Sequence, residues 1–283
     1  MTNVTFGRIL NVHFCESKYR NMEYIGYFAS IIIGLSLGLI GGGGSILTIP
    51  ILVYLFKIDP ELATSYSLFI VGITSLSGCI SHYRMGNLQI KAALFFAVPS
   101  IFSILIIREV IFPQIAETLI SIASYQVSKS FLIMIVFSLL MMAASISMIR
   151  KSKEVTTTGK TNYIQLGVIG FFVGIVTGFL GAGGGFLIIP ALLFFAKLPM
   201  KQAIGTSLLI IFINSAIGFG GDLYIGTPID YSFLLIISGI AFIGMLIGTQ
   251  LSKRIDSSQL KPIFGWFVLI MGMYIITKEI FFT

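Results

Sequence analysis

The amino-acid sequence predicts an all-α polytopic membrane protein made of two homologous, inverted repeats of four hydrophobic segments, the first segment of each broken at a glycine cluster. Three observations lead there. The chain of 283 residues is 56% hydrophobic and only 10% charged, with mean hydropathy +1.00. A soluble surface carries roughly 25% charged residues, so most of this chain must face lipid. Eight apolar segments can be read, at about 24–56, 62–82, 88–108, 131–149, 163–196, 202–221, 231–251 and 262–280. Finally, residues 34–86 recur at 174–226 with a constant offset and no gap: Gly34, Gly38, Gly41, Gly43, Gly44, Pro50 and Lys57 reappear as Gly174, Gly178, Gly181, Gly183, Gly184, Pro190 and Lys197. The match continues through Ala63/Ala203, Ser67/Ser207, Leu68/Leu208 and Gly86/Gly226.

Taken in order, residues 1–23 hold Arg8, His13, Glu16, Lys18, Arg20 and Glu23 and contain neither an apolar core nor a small-residue cleavage site. They read as an interfacial amphipathic segment rather than a removable signal peptide. Membrane repeat 1 covers 24–149, a polar linker 150–162, and membrane repeat 2 163–283. Residues 109–130 have no counterpart of equal length in the second repeat and suggest a short surface helix. Cys15 and Cys79 have no metal-ligand spacing and no reason to pair. The net charge of +7 comes from cations scattered singly between spans, as in membrane flanks, so no nucleic-acid face is expected.

The two long segments carry the functional argument. A straight helix over 24–56 would be about 50 Å long, against a hydrocarbon core of roughly 30 Å. Gly41, Gly42, Gly43, Gly44 and Ser45 sit in the middle of the first segment, and Gly181, Ala182, Gly183, Gly184 and Gly185 in the middle of the second. Glycine costs a helix about 1 kcal/mol relative to alanine, so each cluster should break it. Pro50 and Pro190 remove a further amide donor shortly after. Irregular backbone at membrane depth survives only inside protein or beside a water-filled cavity. A hairpin that dips in and returns satisfies both the length and this constraint. Its second arm would begin with unsatisfied N–H groups and the positive end of a helix dipole, which suits an anion. Gly34, Gly38, Gly174 and Gly178, at small-xxx-small spacing, read instead as close helix packing.

Glycine, a run of apolar residues, a glycine cluster and a proline, at Gly34–Leu52 and again at Gly174–Leu192, are followed by Ala203-Ile204-Gly205-Thr206-Ser207-Leu208. In these elements the chain resembles the TauE/SafE family of sulfite- and sulfonate-related anion transporters, over nearly its whole length from about residue 24. The resemblance implies a cell-membrane, multi-pass secondary transporter, an exporter or permease of small sulfur-containing anions such as sulfite, thiosulfate or an organosulfonate. Ala63-Thr64-Ser65-Tyr66-Ser67-Leu68 departs from the motif, with Tyr66 in place of the threonine.

Polar residues within spans are few, so each is a default functional candidate. Ser45, Ser67, Thr206, Ser207 and Asn214 join the two glycine clusters as the expected substrate-binding set, with Thr48 and Thr177 beside the breaks. Hydroxyls and amides can donate to sulfonate-type oxygens without a charge that would hold the anion. The competing reading of each Ser or Thr is a hydrogen bond to its own helix. Lys57 and Lys197 read as lysines snorkelling from the hairpin ends, with attraction of the anion into a vestibule as the alternative, and His82 as an interfacial histidine, with a proton-linked role as the alternative. If both broken segments are re-entrant, Arg84, Lys91, the linker, Lys197, Lys201 and Arg254 fall on one, cytoplasmic, side, both termini lie outside and the repeats are inverted. If both cross fully, lysines and arginines are nearly balanced and orientation is not decided.

The expected partners are the anion, the lipid bilayer and a coupling proton or sodium ion; no cofactor, catalytic residue or metal is expected. Alternatives are an anion channel or a transporter of another small solute. A cation substrate would need embedded carboxylates, and Asp222 and Asp230 lie at span ends. An intramembrane enzyme would need a constellation that His13 and His82 do not make.

Overall fold

A computed structural model describes residues 25–111, 114–115, 118–122, 125–149, 162–181, 184–252 and 257–282. The expected interfacial segment 1–23, nearly all of the linker, and Ala182 and Gly183 of the candidate site lie outside the described residues.

Among the described residues, ten helices follow one another. The first long apolar stretch is two helices, α1 (Ile25–Ile40) and α2 (Gly44–Leu55). The second is α6 (Tyr163–Leu180) and α7 (Gly185–Phe194). After α2 come α3 (Pro60–Arg84), α4 (Ile90–Leu105, prolonged by a π-helical turn Ile106–Ile111) and α5 (Lys129–Ile149). After α7 come α8 (Met200–Ile225), α9 (Tyr231–Ser252) and α10 (Ser257–Phe282). Among the described residues, six helices, α3 to α6 with α8 and α9, are long and apolar enough to cross a membrane.

The extra residues of the first half correct one expectation. Among the described residues they hold no surface helix but the π-helical end of α4 and a two-stranded antiparallel hairpin, β1 (Thr118–Ile122) with β2 (Tyr125–Ser128). Thr118, Ile120, Ile122 and Val127 are β-branched, the composition that favours strands over helix. The hairpin hands the chain to α5, where the Ser128 hydroxyl accepts from the Phe131 N–H at 3.1 Å.

Helix ends are marked by ordinary cap chemistry. Asp59 accepts from the Glu61 amide at 2.9 Å ahead of Pro60, and Asn162 accepts from the Gln165 amide at 3.2 Å. Gly86 and Gly226 close α3 and α8 with φ of 72° and 87°.

The helices pack crosswise between the halves. α3 lies on α8 and α5 on α10; α4 packs on α6, and α9 on α1. The two α1/α6 contacts are backbone-close because of glycine. A Cβ on Gly34 or Gly38 would strike the main chain of Ala241, Met245 or Gly248, and one on Gly174 would strike Ser100 and Ser103. α3 and α8 are the most enclosed, 72% and 67% of their apolar windows being buried against 39–44% for the other long helices. They form the centre of the molecule. Large apolar side chains at Phe28, Val98, Phe102, Ile164, Leu235 and Ile243 point outward, as lipid-facing surface requires.

Candidate functional site

Each broken segment reverses at its glycines. α1 ends at Ile40 and Gly41 takes φ +72°; α6 ends at Leu180, and Gly181 and Gly184 both take φ +65°. Left-handed backbone costs an L-residue roughly 1–2 kcal/mol and glycine nothing comparable. In a continuous helix, residues seven or eight apart are separated by over ~10 Å along the axis. Here Gly44 instead lies against Ser36 and Leu37, and Gly184 against the Thr177 hydroxyl. The open end of the first hairpin is closed by Tyr27 and Phe56, whose rings are 5.7 Å apart.

The second arm starts tightly wound. Gly41–Leu47 is a 3-10 helix, which runs through Thr48–Pro50 into a π turn at Ile51–Leu55. In the second half Gly184 caps α7, its carbonyl receiving the amides of Leu187 and Ile188 at 2.9 and 3.1 Å.

The two turns touch. A Cβ on Gly42 would strike the backbone of Gly185, and a Cβ on Gly185 the backbone of Gly42. No other residue type fits at this crossing without moving one hairpin. Gly41 also rests on Ile204 of α8, and Gly181 on the Thr64 carbonyl and Cβ of α3. Each turn is thus seated on the central helix of the opposite half.

The candidate hydroxyls divide into two groups. The Ser45 hydroxyl donates to the Gly42 carbonyl and that of Ser207 to the Ile204 carbonyl, both at 2.8 Å, so each bonds locally. Thr206 accepts from the Gln89 amide at 3.0 Å, where α4 begins. Tyr66, at the matching place in the first repeat, accepts from the Asp230 amide at 2.8 Å, where α9 begins. The departure from the motif noted in the sequence therefore preserves one structural task with a different side chain. By contrast the hydroxyls of Thr48, Ser67 and Thr177 are buried without a hydrogen-bond partner among the described residues. The Asn214 amide donates to the Ser100 hydroxyl at 2.8 Å, and its oxygen is likewise unpartnered. Buried polar groups are normally satisfied, so this concentration of spare donors and acceptors is an invitation to a polar ligand.

Two residues at the span ends are buried within the protein. His82, near the end of α3, is buried and only 4% exposed: Gly205 packs on its Cβ. Asp222 is also buried and receives Arg108 Nη1 at 2.7 Å, the two side chains being 7% and 2% exposed. Arg108 Nη2 donates to the Thr64 hydroxyl at 2.8 Å, and Thr64 donates on to the Glu61 carbonyl at 2.7 Å. Glu61 in turn pairs with Lys129 at 2.8 Å. The apolar windows stop at Arg108 and just before Asp222, which is why both look like flanks in the sequence. Lys57 and Lys197 close α2 and α7 in left-handed conformation, φ 58° and 53°. Ile58 N–H and Leu198 N–H reach back to the carbonyls of Leu52 and Leu192 at 3.1 and 3.2 Å. This is the geometry that usually takes glycine. An apolar groove of about 550 Å³ between α4 and α6, lined by Phe95, Val98, Ile164 and Phe171, faces outward and shares no residue with the turns.

A family model described as "Sulfite exporter TauE/SafE" matches residues 27–275. A "Probable membrane transporter protein" of Xylella fastidiosa (strain Temecula1) is 28% identical over 259 residues, covering 88% of this chain and 92% of that one. The "Probable membrane transporter protein YdhB" of Bacillus subtilis (strain 168) is 27% identical over 235 residues, 81% of this chain and 90% of its own. The "Probable membrane transporter protein MJ0441" of Methanocaldococcus jannaschii is 35% identical over 113 residues, 38% of this chain and 42% of its own. No solved structure matches.

Proposed function

The chain belongs to the sulfite exporter TauE/SafE family of membrane transporters, and from that premise we propose that it moves a small sulfur-containing anion such as sulfite, thiosulfate or an organosulfonate. The anion is handled where the two glycine turns cross, and access alternates as the hairpins part on one side and then the other. The observation that carries this reading is the mutual contact of Gly42 and Gly185, with the buried, unpartnered hydroxyls of Thr48 and Thr177 on the hairpins that make it. Backbone bare of Cβ lets amides approach an oxyanion, and the start of each second arm brings the positive end of a helix dipole.

The crossing is closed in this conformation, so transport requires the turns to separate. Seating each turn on the opposite half, Gly41 on Ile204 and Gly181 on Thr64, couples that separation to movement of α3 against α8. Read as re-entrant, the two hairpins leave α3, α4 and α5 in one half and α8, α9 and α10 in the other as crossings, with α6 long enough to span but turned back at Gly181. Three is an odd number, so the halves would be inverted repeats, the arrangement from which many secondary transporters build a midplane site. The richer distribution of Lys and Arg then puts the α3–α4 and α7–α8 connections in the cytoplasm.

Thermal-shift titration of the purified protein with sulfite, thiosulfate, sulfoacetate, chloride and phosphate tests the substrate class. Stabilisation by a sulfur oxyanion that is lost in Gly185→Val is the expected result. Equal response to chloride and sulfite would favour an unselective anion channel, and no response to any anion would overturn the reading.

A further inference from the structure

We propose that Arg108 is a ligand of the transported anion and that Asp222 is the internal anion that occupies Arg108 until substrate displaces it. The inference rests on the transport reading above and adds a residue pair outside the glycine clusters.

The geometry supplies the argument. Arg108 Nη1 holds one oxygen of Asp222 at 2.7 Å while Nη2 holds the Thr64 hydroxyl at 2.8 Å. Thr64 is the residue on which Gly181 is seated, through both its carbonyl and its Cβ. A single residue therefore separates the guanidinium from the second glycine turn. Below it, Ile107 and Ile104 carry Gly178 of α6, which fixes the end of α4 against the same hairpin. A carboxylate matches a small oxyanion in charge and in the donors it accepts, so the seat built for Asp222 is chemically a seat for the substrate. The guanidinium's fixed fork of donors suits either.

Stability is a poor explanation for the pair. Two charges taken out of water are seldom repaid by their mutual attraction, and apolar replacements of similar volume are often neutral or better. Nor does the pair belong to the duplicated scaffold. At the repeat offset, Arg108 corresponds to Gly248, Asp222 to His82 and Thr64 to Ile204. One end of the molecule thus acquired a buried cation and a carboxylate that the other lacks. Ionisable groups in that position mark substrate pathways by default.

The surrounding charges explain why displacement is needed. Glu61 from α3 is held by Lys129 from α5, and Glu109 from the π turn approaches Gly221 of α8. Arg108 and Asp222 cancel one another between them. An anion entering this closed neighbourhood, whose named carboxylates outnumber its cations by one, gains Arg108 only when Asp222 gives it up. Release of Asp222 frees α8 from the end of α4, while Arg108 keeps its hold on the Thr64 seat of the Gly181 turn. Anion binding and opening of this end are then one event.

Uptake of radiolabelled thiosulfate and sulfite into proteoliposomes separates this from a static ion pair. Wild type, Arg108→Gln, Asp222→Asn and the Arg108→Gln/Asp222→Asn double variant are compared after each is checked for monodispersity and melting temperature. Arg108→Gln is expected to lower uptake roughly 30-fold or more, the usual consequence of truncating a buried charged partner. Asp222→Asn is expected to tighten the half-saturating anion concentration on the order of tenfold, since a charged hydrogen bond no longer has to be broken first. The double variant has no unpaired buried charge and should recover stability, yet it should remain as inactive as Arg108→Gln. Wild-type uptake in the double variant would overturn the assignment of Arg108 while leaving the transport reading intact. Absence of uptake in wild-type vesicles for every anion tested would overturn both.

Discussion

The two hairpin turns open on the same left-handed glycine, Gly41 or Gly181, and then differ in winding and in neighbours. At the first, Gly41 rests on Ile204, Gly205 follows it in α8, and His82 and the Asn87 carbonyl press on Gly205. At the second, Gly181 rests on Thr64, and Arg108, Asp222 and Glu61 gather behind it. Positive φ at Gly41 and Gly181, left-handed lysines at 57 and 197, and an oxygen at 66 or 206 accepting from the next helix start are common to both ends. Positions matched by the offset of 140 share these backbone features, whereas the Arg108–Asp222 pair lies at one end alone. The lesson is that two turns can begin alike and still be set in different chemistry.

The largest effects are expected where the ends meet. Gly42→Val and Gly185→Val both drive a branched side chain into main chain, and overpacking of that kind costs about 1–3 kcal/mol or more. Both should abolish anion uptake and lower the melting temperature, while Gly239→Ala, where a Cβ meets nothing within 4 Å, should do neither. A normal Gly42→Val with a dead Gly185→Val would break the symmetry of the crossing.

Next comes the contrast in charge. Asp222→Asn removes the carboxylate that accepts from Arg108 Nη1 and should lower stability, whereas His82→Asn, its counterpart by offset, should cost less. Comparable losses in chemical or thermal denaturation would erase the difference between the two ends.

Smaller and equal effects are expected of the two capping hydroxyls. Thr206→Val strands the Gln89 amide and Tyr66→Phe the Asp230 amide, each at about 1 kcal/mol, measurable as similar decreases in melting temperature. The smallest change should be a gain. Lys57→Gly and Lys197→Gly relieve left-handed strain and should each stabilise by about 1 kcal/mol, and unchanged uptake would confine these lysines to shaping the chain.

Sequence showed the all-α membrane class and its apolar segments because period, length and composition are local properties. Residues 109–130 misled, since a run of mixed polar and apolar residues suits a surface helix as well as a hairpin, and Thr118, Ile120, Ile122 and Val127 tipped it to strands. At the candidate site, the glycine clusters were visible as duplicated composition. The functions of individual hydroxyls were not: Ser45 and Ser207 bond locally, Thr206 holds α4, and Ser67, Thr48 and Thr177 keep free oxygen atoms. Arg108 and Asp222 are 114 residues apart, and only tertiary packing brings them together. Hydropathy windows ended beside them because each is charged, and a charge at the end of a window looks like the start of water.

The central claim is that the touching glycine turns form the path of the anion. Its most direct test is concentration-dependent uptake of radiolabelled thiosulfate into proteoliposomes holding wild type, Gly42→Val or Gly185→Val. Saturable uptake by wild type that falls to the level of empty vesicles in both variants is the predicted result. Saturable uptake of wild-type magnitude in both folded variants would contradict the account and move the path away from the crossing.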